Sequence, residues 1–205
     1  MKRDRAALDT TTRNMATLGW ATLLAAAAVG IYGLINAWAT ITSGVAVLSL
    51  SSSDYSRPSA ASWSVTPGAS LTWPYQVMVP VSQIPSPARW LIQSGDALTP
   101  LLWAATLAAL GLVLVTVGSA QSVFDRQVLR ALNILAGCLI TVALVPSGLV
   151  LLGTNWALGN LGWAANTVTN PATIWIPMFA FYLCLAFTTT LRHGARLASE
   201  LDQVI

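Results

Sequence analysis

Serines at Ser51, Ser52 and Ser53, the carboxylates Asp54 and Asp96 of the segment between the first two apolar runs, one histidine at His193 and two cysteines at Cys138 and Cys184 are the first residues to weigh for chemistry. A serine nucleophile needs a base within hydrogen-bond reach, normally a histidine or a lysine. His193 lies near the C-terminus and Lys2, the single lysine, near the N-terminus, so neither neighbours the serines in sequence. Asp54 and Asp96 could act as an acid/base pair only if the fold united them. Both cysteines sit in apolar runs, which argues against a disulfide framework. One histidine and no cysteine pair at ligand spacing leave a zinc site without material. These residues predict no catalytic centre, no metal and no cofactor.

The elements that would position any such residue are membrane spans. Only 8% of the 205 residues are charged and 55% are hydrophobic, too few charges to cover the surface of a soluble domain. The net charge of +3 does not mark a nucleic-acid binder, because the basic residues form short clusters beside apolar runs. Arginine predominates among them and alanine is abundant, a usage like that of GC-rich actinobacterial genomes.

The fold class expected is an all-α membrane protein: a four-transmembrane-helix bundle, N-in/C-in, with a small extracytoplasmic β-containing cap between helices 1 and 2. A cytoplasmic N-terminus occupies 1–14 and the first span 15–43, rich in Ala and Leu. A signal peptide is the competing reading of this start, with Ala37-Trp38-Ala39 imitating a cleavage site. The apolar run is too long for a signal peptide's apolar core, so retention is expected. An extracytoplasmic segment follows at 44–97. The second span is expected at 98–120, with Pro100 in its first turn. A cytoplasmic turn at 121–126 leads to the third span at 127–153. An outer connection at 154–172, the fourth span at 173–191 and a cytoplasmic helical tail at 192–205 complete the chain.

Orientation follows from the cations. Lys2, Arg3, Arg5, Arg13, Arg126, Arg130, Arg192 and Arg196 fall on one side if four helices alternate, and Arg57 and Arg89 on the other. This is the bias of cytoplasmic segments, here at a bacterial plasma membrane. Of nine tryptophans, Trp38, Trp90, Trp103, Trp156, Trp163 and Trp175 fall near the outer ends or in the outer connections, as an aromatic belt requires.

The segment 44–97 is too long for an unstructured connection. Alternation around Pro67-Gly68 predicts strands carrying Trp63, Val65, Leu71 and Trp73, with further extended pieces at Val45 to Leu50 and Tyr75 to Val81. Ala88 to Ile92 reads as an interfacial turn of helix. Trp63, Trp73, Tyr75 and Trp90 are the residues of this cap best suited to hold a partner. The cap can equally serve as a cover for the outer helix ends.

No ionisable residue falls in the central part of any span, where proton or ion coupling usually places one. Asn36, Asn133, Thr141 and Thr188 to Thr190 are read as bonding between helices rather than lining a path. Gly30, Gly33, Gly111 and Gly137 are the small residues expected to permit close helix contact.

The segment Phe124 to Leu132 and the tail Leu191 to Ile205 together resemble an uncharacterised bacterial family of four-helix integral membrane proteins, often encoded beside a small Cro-like helix-turn-helix regulator. Its tail pattern, G-x-x-L-x-x-E-x-D before an aliphatic residue, is matched by Gly194, Leu197, Glu200 and Asp202. The resemblance implies four spans and a long first outer loop, and suggests a cytoplasmic regulator as partner for the tail. It implies no biochemical activity. The function expected is a non-enzymatic accessory or regulatory binding subunit of a bacterial membrane complex. Its partners are the lipid bilayer, a membrane protein or a second copy, and no nucleic acid directly. The alternatives are a small oligomeric transporter, channel or export/immunity protein and, more remotely, an enzyme acting on lipid or envelope through Asp54 or Asp96.

Overall fold

A computed structural model describes residues 2–51, 70–72, 76–119, 125–162, 166–167 and 171–202. Its helices are α1 (Lys2–Thr42), α2 (Ser86–Ser119), α3 (Arg126–Leu161) and α4 (Pro171–Asp202). Its strands are β1 (Val45–Ser51), β2 (Ser70–Thr72), β3 (Gln76–Pro80) and β4 (Asn166–Thr167), with a 3-10 turn at Val81–Gln83. Among the described residues, each of the four helices contains a stretch long and apolar enough to cross a membrane, and none of these stretches is more than one-third buried inside the protein. Exposed Leu24, Ile31, Leu144, Phe179 and Phe187 are surface that water would oppose and lipid accepts.

The helices run further than hydropathy marks them. At 34 residues, α2 is about 51 Å long against a hydrocarbon core of about 30 Å. It begins at Ser86, so Ala88 to Ile92 are its first turns and not a separate interfacial piece. Pro87 occupies the first turn, where a missing N–H has no consequence. Pro100 is therefore interior, contrary to the first-turn position expected of it, and deprives the Asp96 carbonyl of its helical donor. One residue earlier, Thr99 Oγ1 donates to the Gly95 carbonyl at 2.9 Å. α3 continues through Gly153 to Leu161, into residues expected to form the outer connection. Leu151, Leu152, Trp156, Ala157 and Leu158 keep that stretch apolar enough for a helix, and Gly162, at φ 68°, ends it in the left-handed conformation.

Of the polar residues read as bonding between helices, Thr141 and Thr188 to Thr190 bond within their own helices instead. Thr141 Oγ1 donates to the Gly137 carbonyl at 2.7 Å and Thr188 Oγ1 to the Cys184 carbonyl at 2.7 Å. Thr189 and Thr190 likewise bond to Leu185 and Ala186, four residues back. A helix in lipid has no water for these hydroxyls, and the carbonyl four residues back is the nearest acceptor.

The chain divides into two compact units. The first comprises residues 1–32, 100–143 and 175–205. Its core joins Ala109 and Val113 of α2 to Ala131, Leu135 and Leu139 of α3, with Ala180, Phe181 and Cys184 of α4 packed against them. The spacing of Val128, Ala131, Leu135, Leu139 and Val142 keeps one face of α3 buried. Where α1 crosses α2, backbone meets backbone: a Cβ on Gly19 would lie 2.6 Å from Val115 Cγ2 and 2.8 Å from Val115 N. A Cβ on Gly111 would lie 2.8 Å from Leu23 Cγ and 3.1 Å from the Gly19 carbonyl. Gly30, further along, would only touch Ala104 at 3.7 Å, and Gly137 has nothing within 4 Å.

These distances separate glycines that hold the unit together from one that does not. Gly111→Ala is expected to destabilise the protein by about 1–3 kcal/mol by forcing the helices apart. Gly137→Ala, on open helix surface, is expected to stabilise by about 0.5–1 kcal/mol through lower backbone entropy. Thermal unfolding of the purified variants in detergent reads both signs.

Candidate functional site

The second unit comprises residues 33–99 and 144–174 and carries the sheet. Its strand order is β2-β3-β1-β4, with every neighbouring pair antiparallel. β1 and β3 meet in a register that sets Ala46 opposite Val79 and Leu48 opposite Val77. All four side chains are buried, while Val45 and Met78 face outward, the period-2 pattern of a sheet with one covered face. The covered face rests on Ile84, Ala88 and Ile92 of the α2 approach and on Ala157 and Leu158 of α3, forming a single hydrophobic core.

Two glycines bring α2 and α3 together beneath this sheet. A Cβ on Gly153 would lie 2.9 Å from both the Ala88 carbonyl and Ile92 N. On Gly95 it would lie 2.9 Å from the Pro146 carbonyl and 2.6 Å from Val150 Cγ2. The end of α1 is tied into the same unit by hydrogen bonds. Gln93 Nε2 donates to the Thr40 carbonyl at 3.2 Å, and Val81 N donates to the Gly44 carbonyl at 3.0 Å. Ser43 Oγ also bonds to the Thr40 carbonyl, at 2.8 Å. Helix C-termini leave carbonyls without intrahelical donors, and here a side chain from α2 supplies one.

Polar atoms without partners occur in the first turns of α2 and toward the end of α3. Gln93 and Thr154 are 3% and 1% exposed. Gln93 Oε1, Thr154 Oγ1 and Arg89 Nε are buried and have no hydrogen-bond partner among the described residues. Arg89 lies over the Trp90 ring, 5.8 Å from its centroid. Asp96, half-buried, follows on the same helix.

Of the cap residues singled out by sequence, Trp90 is 53% exposed in the first turns of α2. Trp63, Trp73 and Tyr75 lie outside the described residues, as do Asp54 and the strand read around Val65. Gly33 is buried in this unit. Gly194, Leu197, Glu200 and Asp202 all fall on α4 of the first unit, with Leu197 and Glu200 exposed. Sequence reading missed Gly19, Gly95 and Gly153 as contact glycines. It also missed Gln93 and Thr154 altogether, although a glutamine four residues after Arg89 on an apolar helix was a visible signal. The pairing of Asn166 and Thr167 with β1 had no signal, since two residues show no periodicity.

No family model matches the chain, and neither a curated protein nor a solved structure matches it.

The division between core and surface is testable. Ile92→Ala is expected to cost about 2–5 kcal/mol by opening a cavity under the sheet. Trp90→Ala should change stability by no more than about 1 kcal/mol, the scale of an exposed cation–π contact. Denaturant or thermal unfolding in detergent distinguishes the two.

Proposed function

We propose that this chain is a non-enzymatic membrane subunit that works by binding: an accessory or regulatory component of a larger complex in a bacterial cytoplasmic membrane. Both termini lie in the cytoplasm and the sheet-bearing unit is its extracytoplasmic cap. The observation that carries this reading is the core of that unit. The residues between the first two spans contribute Ala46, Leu48, Val77 and Val79 to a buried cluster in an ordered sheet. A segment serving only to connect two spans has no need of a core, and exposed loops positioned by a rigid scaffold are where binding residues concentrate. Met78 and Trp90 are exposed large apolar side chains of this unit and suit a protein partner.

The central parts of the spans carry no ionisable residue, which favours binding over chemistry or ion coupling within the bilayer. The resemblance of the tail to a family encoded beside a small regulator adds a second contact on the cytoplasmic side. There Leu197, 61% exposed, lies near Glu200 on the last turns of α4.

Orientation is read by cysteine labelling in a background with Cys138 and Cys184 changed to serine. Met78→Cys should react with a membrane-impermeant maleimide in intact cells, and Arg192→Cys only after permeabilisation. The reverse pattern would invert the topology. For the binding role, the protein extracted gently from its native membrane should bring down a stoichiometric partner and support no ion or solute flux alone in liposomes. A monodisperse protein that recovers no partner, or that conducts by itself, contradicts the proposal.

A further inference from the structure

Val128, Ala131, Leu135, Leu139 and Val142 form the buried face of α3. On the opposite face, at about 100° per residue, Arg126, Arg130, Asn133, Gly137 and Leu144 fall within about 60° of one another. All five positions are exposed.

Two features of this face are unusual for surface that only touches acyl chains. Asn133 makes no side-chain hydrogen bond among the described residues, whereas Asn160 of the same helix donates its amide to the Trp156 carbonyl at 3.0 Å. Gly137 has nothing within 4 Å of where a Cβ would lie, so no neighbouring helix of this chain requires a glycine there, and glycine weakens a helix. At the start of the same face, Arg126 and Arg130 form no ion pair among the described residues. The acid that precedes them, Asp125, caps the helix by accepting from Gln127 N at 3.1 Å.

Along the helix axis the face runs from cations to amide to gap. Arg130 and Asn133 are about 4.5 Å apart along the axis, and Gly137 is about 6 Å further on. A phospholipid presents its groups in the same order along the membrane normal: phosphate, ester carbonyls, then acyl chains. Its headgroup layer is about 5–7 Å thick on each side of the hydrocarbon. Helical side chains lean toward the N-terminus, which carries Arg130 and Asn133 toward that layer.

We propose that this face of α3 holds an anionic phospholipid, with its phosphate on Arg126 and Arg130, an ester carbonyl accepting from the Asn133 amide, and an acyl chain lying over Gly137 against Leu144. The guanidinium fork suits a phosphate, and the Asn133 N–H gains an acceptor that acyl chains lack. A zwitterionic lipid brings its own cation, for which this face has no free acid. A second copy fits less well, because a two-fold axis along the membrane normal would set Arg126 and Arg130 against their own counterparts. The inference rests on the spans lying in a bilayer, and neither on which side carries the start of α3 nor on recruitment of a protein partner.

The test is titration of the full chain in detergent with phosphatidylglycerol or with phosphatidylcholine of the same acyl chains, read by native mass spectrometry. The first phosphatidylglycerol should bind more tightly than phosphatidylcholine. Arg130→Gln should weaken its binding about fivefold, the effect of one cation at an anionic surface. Asn133→Leu should weaken it too, although the face becomes more apolar. Arg192→Gln, which removes an equally exposed cation from α4, should leave it unchanged. All three positions are exposed, so the variants should unfold at the wild-type temperature in lipid-free detergent. In the native membrane, a photoreactive amino acid at Gly137 should give phospholipid adducts. Equal affinity for the two lipids, an Arg192→Gln effect as large as that of Arg130→Gln, or full affinity in Asn133→Leu would each overturn the proposal. So would a protein adduct at Gly137, whether from a second copy or from another chain.

Discussion

Lipid tails are as apolar as the side chains they touch, so no hydrophobic force draws these helices together. What remains is close contact, and close contact depends on glycine. Gly19 and Gly111 let α1 and α2 meet backbone to backbone in one unit, and Gly95 and Gly153 do the same for α2 and α3 in the other. At each crossing a single methyl group would sit within 3 Å of a neighbouring atom. The same medium obliges hydroxyls in the spans to bond to their own helix, as Thr141 and Thr188 do. Polar groups that do not follow this rule stand out for that reason, as Thr154 does, with no partner for its hydroxyl among the described residues.

The sheet-bearing unit is governed by a different balance. Ala46, Leu48, Val77 and Val79 are covered on one face while Val45 and Met78 face outward, the arrangement of an ordinary amphipathic sheet. Its core is shared with the first turns of α2 and the last turns of α3. Continuous helices thus supply both the apolar spans and the support beneath the strands, and this is why α2 and α3 are longer than a bilayer requires.

Much of this was legible from residue order. Four apolar helices follow from hydropathy alone, and Val45 to Leu50 shows its extended character through alternation. Helix ends were less visible, because a hydropathy pattern marks where a helix meets lipid and not where its hydrogen bonds stop. Pro100 misled for that reason: proline suits a first turn, yet α2 had already run from Ser86. Contact glycines were only half visible. Gly30, Gly111 and Gly137 look alike in sequence, and only the position of the neighbouring helix separates Gly111, with Leu23 against it, from Gly137, with open surface. The burial of Gln93 and Thr154 was missed because it depends on which neighbouring elements cover them, and these meet only in the fold. Trp63, Trp73 and Tyr75 remain a sequence proposal.

Spans without ionisable centres and a sheet packed on the helix ends in one core place the interest of this protein on what its sheet-bearing unit touches. The most direct measurement is site-specific photo-crosslinking in the native membrane, with a photoreactive amino acid at Met78 and at Trp90, both exposed in that unit, and at Phe187, exposed on α4. The account predicts a discrete adduct containing a second protein at Met78 or Trp90 and only lipid adducts at Phe187. Lipid adducts alone at all three positions would contradict it.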